Sequence, residues 1–174
     1  MRVLLAFDKF KDSLTARAAC DVTAQSLLAQ HPDWTLDLCP LADGGEGFCE
    51  ILTQAAGGRM MPFEVRGPRG VPRQAMLGIV PLAGIPSEAQ KQMAPPDGST
   101  ENATVAVIEM AAASGLALLD TPDRNPWETS TFGTGELIRA AAELNVAAVL
   151  LGVGGSATHD VGLGALAALG MKFH

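Results

Sequence analysis

The sequence predicts an α/β protein that starts βαβα and continues into a second α/β module from about residue 60. Two observations carry the first part. Val3-Leu4-Leu5-Ala6-Phe7 is a short, wholly apolar run, and an amphipathic stretch then leads to alternating apolar and polar residues around Trp34, Leu36 and Leu38. A change to antiparallel texture after Gly57-Gly58 carries the second part.

The first apolar run stops at Asp8-Lys9, which is how a strand buried on both faces of a parallel sheet reads. Thr15 can cap the following helix, where Ala16, Ala19, Cys20, Thr23, Leu27 and Leu28 recur at spacings of three and four until His31-Pro32. The alternating strand closes at Pro40, so strand, helix and strand form a βαβ unit with a right-handed crossover. After Asp43-Gly44-Gly45-Glu46-Gly47, a helix over about 48–56 ends at Gly57-Gly58 as its C-cap. Phe63-Glu64-Val65 and residues 75–80 read as strands flanking the turn Gly67-Pro68-Arg69-Gly70. Residues 81–104 carry four prolines and no apolar period, which predicts an exposed, mobile loop. Val105, Val107 and Ile108 resume a strand ending at Glu109, Asn125-Pro126 marks a turn, and a helix fits 135–144. Residues 147–151 form a further buried strand, 162–169 open a helix, and the C-terminus reads as unfinished. His31 reads as a surface residue and Met60-Met61 as core filler.

Charged residues make up 18% of the chain and hydrophobic ones 48%, a globular and not a disordered composition. Twelve Lys and Arg against nineteen Asp and Glu leave a net charge of −7 with no basic run, so a nucleic-acid partner is not expected. Cys20, Cys39 and Cys49 are an odd count and read as reduced, cytoplasmic core thiols. The N-terminal run is too short for a signal peptide, and no segment approaches the roughly 18 apolar residues of a membrane span. The expected protein is soluble and cytoplasmic, with no membrane partner.

Ligands of open parallel sheets bind beyond the carboxyl ends of the strands. Three segments fall there. Asp8, Lys9, Lys11, Asp12 and Ser13 offer carboxylates, ammonium groups and a hydroxyl, although an ordinary solvated loop has the same composition. In the second segment Gly44, Gly45 and Gly47 allow close approach of a ligand to the main chain, and Asp43 and Glu46 suit magnesium or a substrate hydroxyl; a glycine turn capping a helix is the plain alternative. In the third, Gly152 to Asp160, the N–H groups around Gly154 and Gly155 with the hydroxyls of Ser156 and Thr158 can cradle an anion. Gly152, Gly154 and Ala157 match a dinucleotide pattern, but no acidic residue follows Asp160 to hold a ribose, and no Walker A sequence occurs. A fourth cluster, Thr129-Ser130-Thr131-Phe132-Gly133-Thr134-Gly135-Glu136, precedes a helix and suits a phosphate or carboxylate, or plain N-capping. His159 alone makes no metal site.

Taken together, five motifs resemble the bacterial glycerate kinase family, of the glycerate 2-kinase type. They are Asp8-Lys9-Phe10-Lys11-Asp12-Ser13-Leu14; Leu41-Ala42-Asp43-Gly44-Gly45-Glu46-Gly47; Ile108-Glu109-Met110-Ala111 with Ser114-Gly115-Leu116; Phe132-Gly133-Thr134-Gly135-Glu136-Leu137-Ile138; and Gly154-Gly155-Ser156-Ala157-Thr158. Their order and spacing agree along the whole chain. The resemblance implies ATP-dependent phosphorylation of D-glycerate at its 2-hydroxyl, with Mg2+. It also implies a Rossmann-like or flavodoxin-like parallel-sheet domain, here residues 1–59 and incomplete, and an inserted second α/β domain, here 60–174 and also incomplete. On that basis Lys9 and Lys11 meet phosphate or the glycerate carboxylate, with Asp8 and Ser13 beside them. Gly154, Gly155, Ser156 and Thr158 hold phosphate, as do Gly44, Gly45, Ser130, Thr131, Gly133 and Thr134. Asp43 and Glu46 hold magnesium or glycerate hydroxyls, and Asp160 is the general base, with Asp43 second.

Two departures stand out. The family usually continues with Asn-Asp-Gly-Gly where this chain has His159-Asp160-Val161-Gly162, so Val161 replaces a glycine and a distorted loop is expected. Family members are also longer, which reads as a truncated or split chain. Such a chain is expected to be poorly soluble, a homo-oligomer, or dependent on a complementing C-terminal fragment. The alternative function is a non-catalytic remnant that binds a nucleotide or small acid without phosphoryl transfer.

Overall fold

The computed structural model describes residues 1–95 and 98–173. The chain forms two compact units, Met1–Asp43 and Gly44–His174.

In the first unit, β1 (Arg2–Leu5) and β2 (Thr35–Leu38) pair in parallel, Arg2 opposite Thr35 and Leu5 opposite Leu38. They are joined by α1 (Ala16–Gln30), whose first turn is capped as expected: Thr15 accepts a hydrogen bond from the Ala18 N–H at 3.1 Å. The core is Leu5, Cys20 and Ala24, with Val3, Phe7, Leu27 and Leu36 around it. Only alternate strand residues reach α1, so Leu4 stays 63% exposed, and β1 is not buried on both faces as its apolar run suggested. Leu28, expected on the apolar side of α1, is exposed too. The His31 ring, at the helix end, stacks on Trp34 with centroids 4.0 Å apart.

The second unit contains a four-stranded sheet of order β3-β4-β5-β6. Strands β3 (Arg59–Arg66) and β4 (Pro72–Pro81) form the antiparallel hairpin that Gly67 to Gly70 predicted. Next to them, β5 (Thr104–Glu109) is antiparallel to β4, and β6 (Ala148–Gly152) is parallel to β5. Successive residues of β5 face opposite layers. Val105 and Val107 meet Cys49, Val80 and Leu82 on the side of α2 (Phe48–Ala55). Ala106 and Ile108 meet Val65, Leu77, Leu137 and Ala141 on the side of α5 (Phe132–Glu143). With both faces covered, β5 reads as an unbroken apolar run.

Packing of α2 on β4 and β5 sets the division of the chain. Its apolar face, with Cys49 and Leu52, is buried on this sheet, so α2 belongs to the second unit, and the compact units part at Asp43/Gly44. The 81–104 segment likewise is not simply an exposed loop. Leu82 is 1% exposed, α3 (Ser87–Met93) follows, and Ile85 and Met93 lie against the same cluster; Pro96 and Asp97 fall outside the described residues. α4 (Met110–Ser114) continues directly from β5, and α6 (Leu163–Ala168) packs on α5. The last helix before β6 starts three residues earlier than its sequence pattern suggested, at Phe132. Met60 and Met61 are partly buried against the two clusters. All three cysteines are free thiols, but Cys39 is exposed and not a core residue. Among the described residues no helix is long and apolar enough to cross a membrane.

Candidate functional site

The parallel pair β5 and β6 ends at Glu109 and Gly152, which are register partners. The glycines beyond β6 pack main chain on main chain. The Gly154 N–H donates to the Gly44 carbonyl at 2.9 Å, and a Cβ on Gly152 or Gly154 would lie 2.6 Å from the Gly44 carbonyl or 2.7 Å from the Gly45 nitrogen. Their lack of a side chain thus serves the close approach of two loops, and the Gly154 N–H expected to hold phosphate is already used. The Ala157 N–H is likewise used, donating to the Ser114 carbonyl at 2.9 Å.

Glu109, 9% exposed, aims its carboxylate at the other loop. One oxygen accepts from the Gly47 N–H at 3.0 Å and the Cys49 N–H at 3.2 Å, closing the N-terminal turn of α2. Reasoning on the sequence gave Glu109 no role of its own; the available signal was a carboxylate ending an otherwise apolar strand. Beside it, burial pushes the Cys49 thiol up to about 11, so that thiol is not a nucleophile at neutral pH.

Asp160 joins two helices. Its Oδ2 accepts from the Thr131 N–H and the Thr131 hydroxyl, both at 2.8 Å, from the Gly164 N–H at 3.1 Å and from the Ser130 hydroxyl at 3.4 Å. Its Oδ1 accepts from the Gly162 N–H at 3.2 Å, and the Thr131 hydroxyl in turn accepts from the Ala165 N–H at 2.9 Å. Burial pushes this carboxyl up, but the hydrogen bonds from Thr131, Gly164 and Gly162 outweigh it and hold it below its ordinary value. The anion expected at the start of α5 is therefore supplied by the chain itself. Two neighbours also have packing tasks: a Cβ on Gly133 would overlap the Arg66 carbonyl, and the Thr134 hydroxyl bonds that of Ser114 at 2.8 Å, both buried.

A cavity of about 490 Å3 opens at this end of the parallel pair. It gathers Thr131, Thr134, Ser156, Thr158 and Asp160 from the predicted set, with His159, and is otherwise lined by apolar groups including Met110, Ile138, Leu151 and Val153. Gly155, at φ 70°, lies outside this lining.

In the first unit, Lys9 Nζ lies 3.0 Å from Asp43 Oδ1 and 3.9 Å from Asp8 Oδ1, while the Lys9 N–H donates to Asp8 at 2.6 Å. Reciprocal hydrogen bonds between Phe10 and Leu14 close a tight turn with Asp12 at φ 60°. Lys11 and Ser13 stand exposed on it. The Asp43 carboxylate, expected with Glu46 on magnesium, is paired with an ammonium group. Among the described residues no group of three or more His, Cys, Asp or Glu side chains forms a metal cluster. Magnesium is commonly held by one or two carboxylates together with substrate phosphates, the part that Asp43 and Glu46 would take.

The model of the glycerate kinase family matches residues 3–174. The chain is 41% identical over 172 residues to a glycerate kinase of Haemophilus influenzae, covering 99% of this chain and 40% of that protein. It is 40% identical over 170 residues to a glycerate kinase of Bacillus subtilis, covering 98% and 39%. It is 38% identical over 172 residues to a glycerate 2-kinase of Escherichia coli, covering 99% and 40%. A crystal structure of a Salmonella typhimurium LT2 protein proposed to be glycerate kinase 2 superposes with a TM-score of 0.67 at 38% identity, over 97% of this chain and 40% of that one. The chain spans about 40% of the length of the curated relatives it matches. With the family model matching nearly the whole of it, the chain belongs to the glycerate kinase family.

Proposed function

We propose that the chain forms part of a kinase that transfers the γ-phosphoryl group of ATP to the 2-hydroxyl of D-glycerate. The observation that carries this reading is the cavity at the carboxyl ends of the parallel strands β5 and β6, where ligands of such sheets bind, in a chain of this family. In the reaction the glycerate hydroxyl oxygen attacks the γ-phosphorus, the bond from that phosphorus to the β-phosphate oxygen breaks, and ADP leaves. The hydroxyl proton passes to a carboxylate. Asp160 already accepts five hydrogen bonds and is held in its ionised form for positioning, so Asp43, 65% exposed and paired with Lys9, takes that role. Lys9 and Lys11 offset the charge of phosphate or glycerate carboxylate, since this chemistry asks mainly for positioning and charge neutralisation. No step here is routed through magnesium.

An assay coupling ADP release to D-glycerate, with the product identified as 2- or 3-phosphoglycerate, tests the proposal. Release of ADP with formation of 2-phosphoglycerate supports it. The left-handed backbone of Val161, in the loop beyond β6, favours a second reading, a module that binds ligand without transfer. A thermal shift with ATP and no ADP release would select that reading.

A further inference from the structure

Val161 has a φ of 54°, in the left-handed region that a β-branched residue enters only at a cost. Its side chain is 91% exposed, so packing within the chain does not offset that cost. The conformation is held locally: Asp160, just before it, accepts from the N–H groups of Gly162 and Gly164, just after it. Val161 lines the cavity, as does Val153, which is 63% exposed. Two apolar side chains are thus presented at a cavity that also carries the hydroxyls of Ser156 and Thr158.

The charges there point to one part of a ligand. No Lys or Arg lines the cavity among the described residues. The Thr131 and Gly164 N–H groups, at the starts of α5 and α6, donate to the Asp160 carboxylate, so an anion is already held there. His159 is the one other titratable group in the lining among the described residues. Phosphates and a glycerate carboxylate find little to bind in such a place. A nucleoside, with a flat base and ribose hydroxyls, suits it, and the volume is sufficient for one.

We propose that this cavity takes the nucleoside end of ATP, with the base against Val153 and Val161 and the ribose hydroxyls bonded by Ser156 and Thr158. The inference rests on the reading that the chain binds ATP. It makes Val161 a residue that sets ligand choice, which its strained exposure otherwise leaves without a purpose.

Binding to the full chain is measured with three probes: adenosine, ATP and inorganic triphosphate. Adenosine is expected to bind and to be displaced by ATP but not by triphosphate. Val153→Asp and Val161→Gly are expected to weaken adenosine binding roughly tenfold, the loss of about one buried apolar side chain. Both positions are exposed, and the melting temperature of Val161→Gly should rise, which separates lost contact from lost fold. Absence of adenosine binding, displacement by triphosphate, or unchanged adenosine affinity in both variants would overturn the assignment. If ATP and adenosine bind as expected but no ADP is released with D-glycerate, the kinase reading fails and the nucleoside site stands. If turnover occurs and both valine variants keep the KM for ATP, the kinase reading stands and the nucleoside site fails.

Discussion

The Thr131 hydroxyl donates to Asp160 Oδ2 at 2.8 Å and accepts from the Ala165 N–H at 2.9 Å, so one side chain at the start of α5 ties a loop carboxylate to α6. Asp160 is the centre of this arrangement, and replacing it by Ala leaves the N–H groups of Thr131, Gly162 and Gly164 without their acceptor. Asp160→Ala is expected to cost about 2–3 kcal/mol in urea unfolding, the usual range for hydrogen bonds to a charged group.

The same group predicts a pH dependence. Its folded pKa is lowered, so the stability it contributes is fully present above the unfolded carboxyl value of about 3.9 and is lost as pH falls through the lower folded value. The parent chain should therefore lose stability below about pH 4 more steeply than Asp160→Asn, which has no carboxylate to protonate. Parallel acid-unfolding slopes for the two would show that Asp160 is not the group responsible.

Val161→Gly should raise stability by about 1 kcal/mol, the left-handed strain of a β-branched residue less the entropy a glycine loses on folding. The expected distortion of this loop takes the form of strain at one φ, in a backbone shape that glycine adopts without penalty. A lower melting temperature for Val161→Gly would contradict this.

Glu109→Gln keeps an acceptor oxygen and loses the charge, whereas Glu109→Ala removes both. Expected losses are about 1 kcal/mol for the first and about 2–3 kcal/mol for the second. The readout that locates the effect is amide exchange: the Gly47 and Cys49 N–H groups should exchange faster in the Ala variant.

How far the sequence could be read depended on what kind of force set each feature. The Thr15 cap and the parallel pairing of β1 with β2 follow from local chemistry and hydrophobic period, and both were legible. The one-sided burial of β1 was not, because a run of apolar residues records what a strand can bury and not how many of its faces are covered. The same limit hid Leu82 and α3 inside a proline-rich stretch. At the site, the internal hydrogen-bonding tasks of several residues were not legible. An N–H that could hold a ligand phosphate can equally hold an internal carboxylate such as Asp160 or Glu109, and only the fold brings those partners together. The cavity's apolar lining, Met110, Ile138, Leu151 and Val153, comes from three separate segments and left no local pattern.

Gly154 distinguishes the two tasks a glycine-rich loop can have. If its missing side chain serves loop packing, a Cβ would lie 2.7 Å from the Gly45 nitrogen and 2.9 Å from the Gly45 Cα, both main-chain atoms that cannot turn aside. Gly154→Ala should then cost about 1–3 kcal/mol through overpacking, with or without any ligand present. If the glycine instead serves approach of a ligand anion, the variant should keep the stability of the parent and lose only affinity for phosphate-bearing ligands. Gly170, at φ 96° with open space where a Cβ would stand, is a control for backbone strain alone. Urea unfolding of Gly154→Ala and Gly170→Ala, each with and without ATP, separates these cases. Because the Gly154 N–H already donates to the Gly44 carbonyl, the expected result is a destabilised Gly154→Ala chain whose deficit is the same in the absence of ATP.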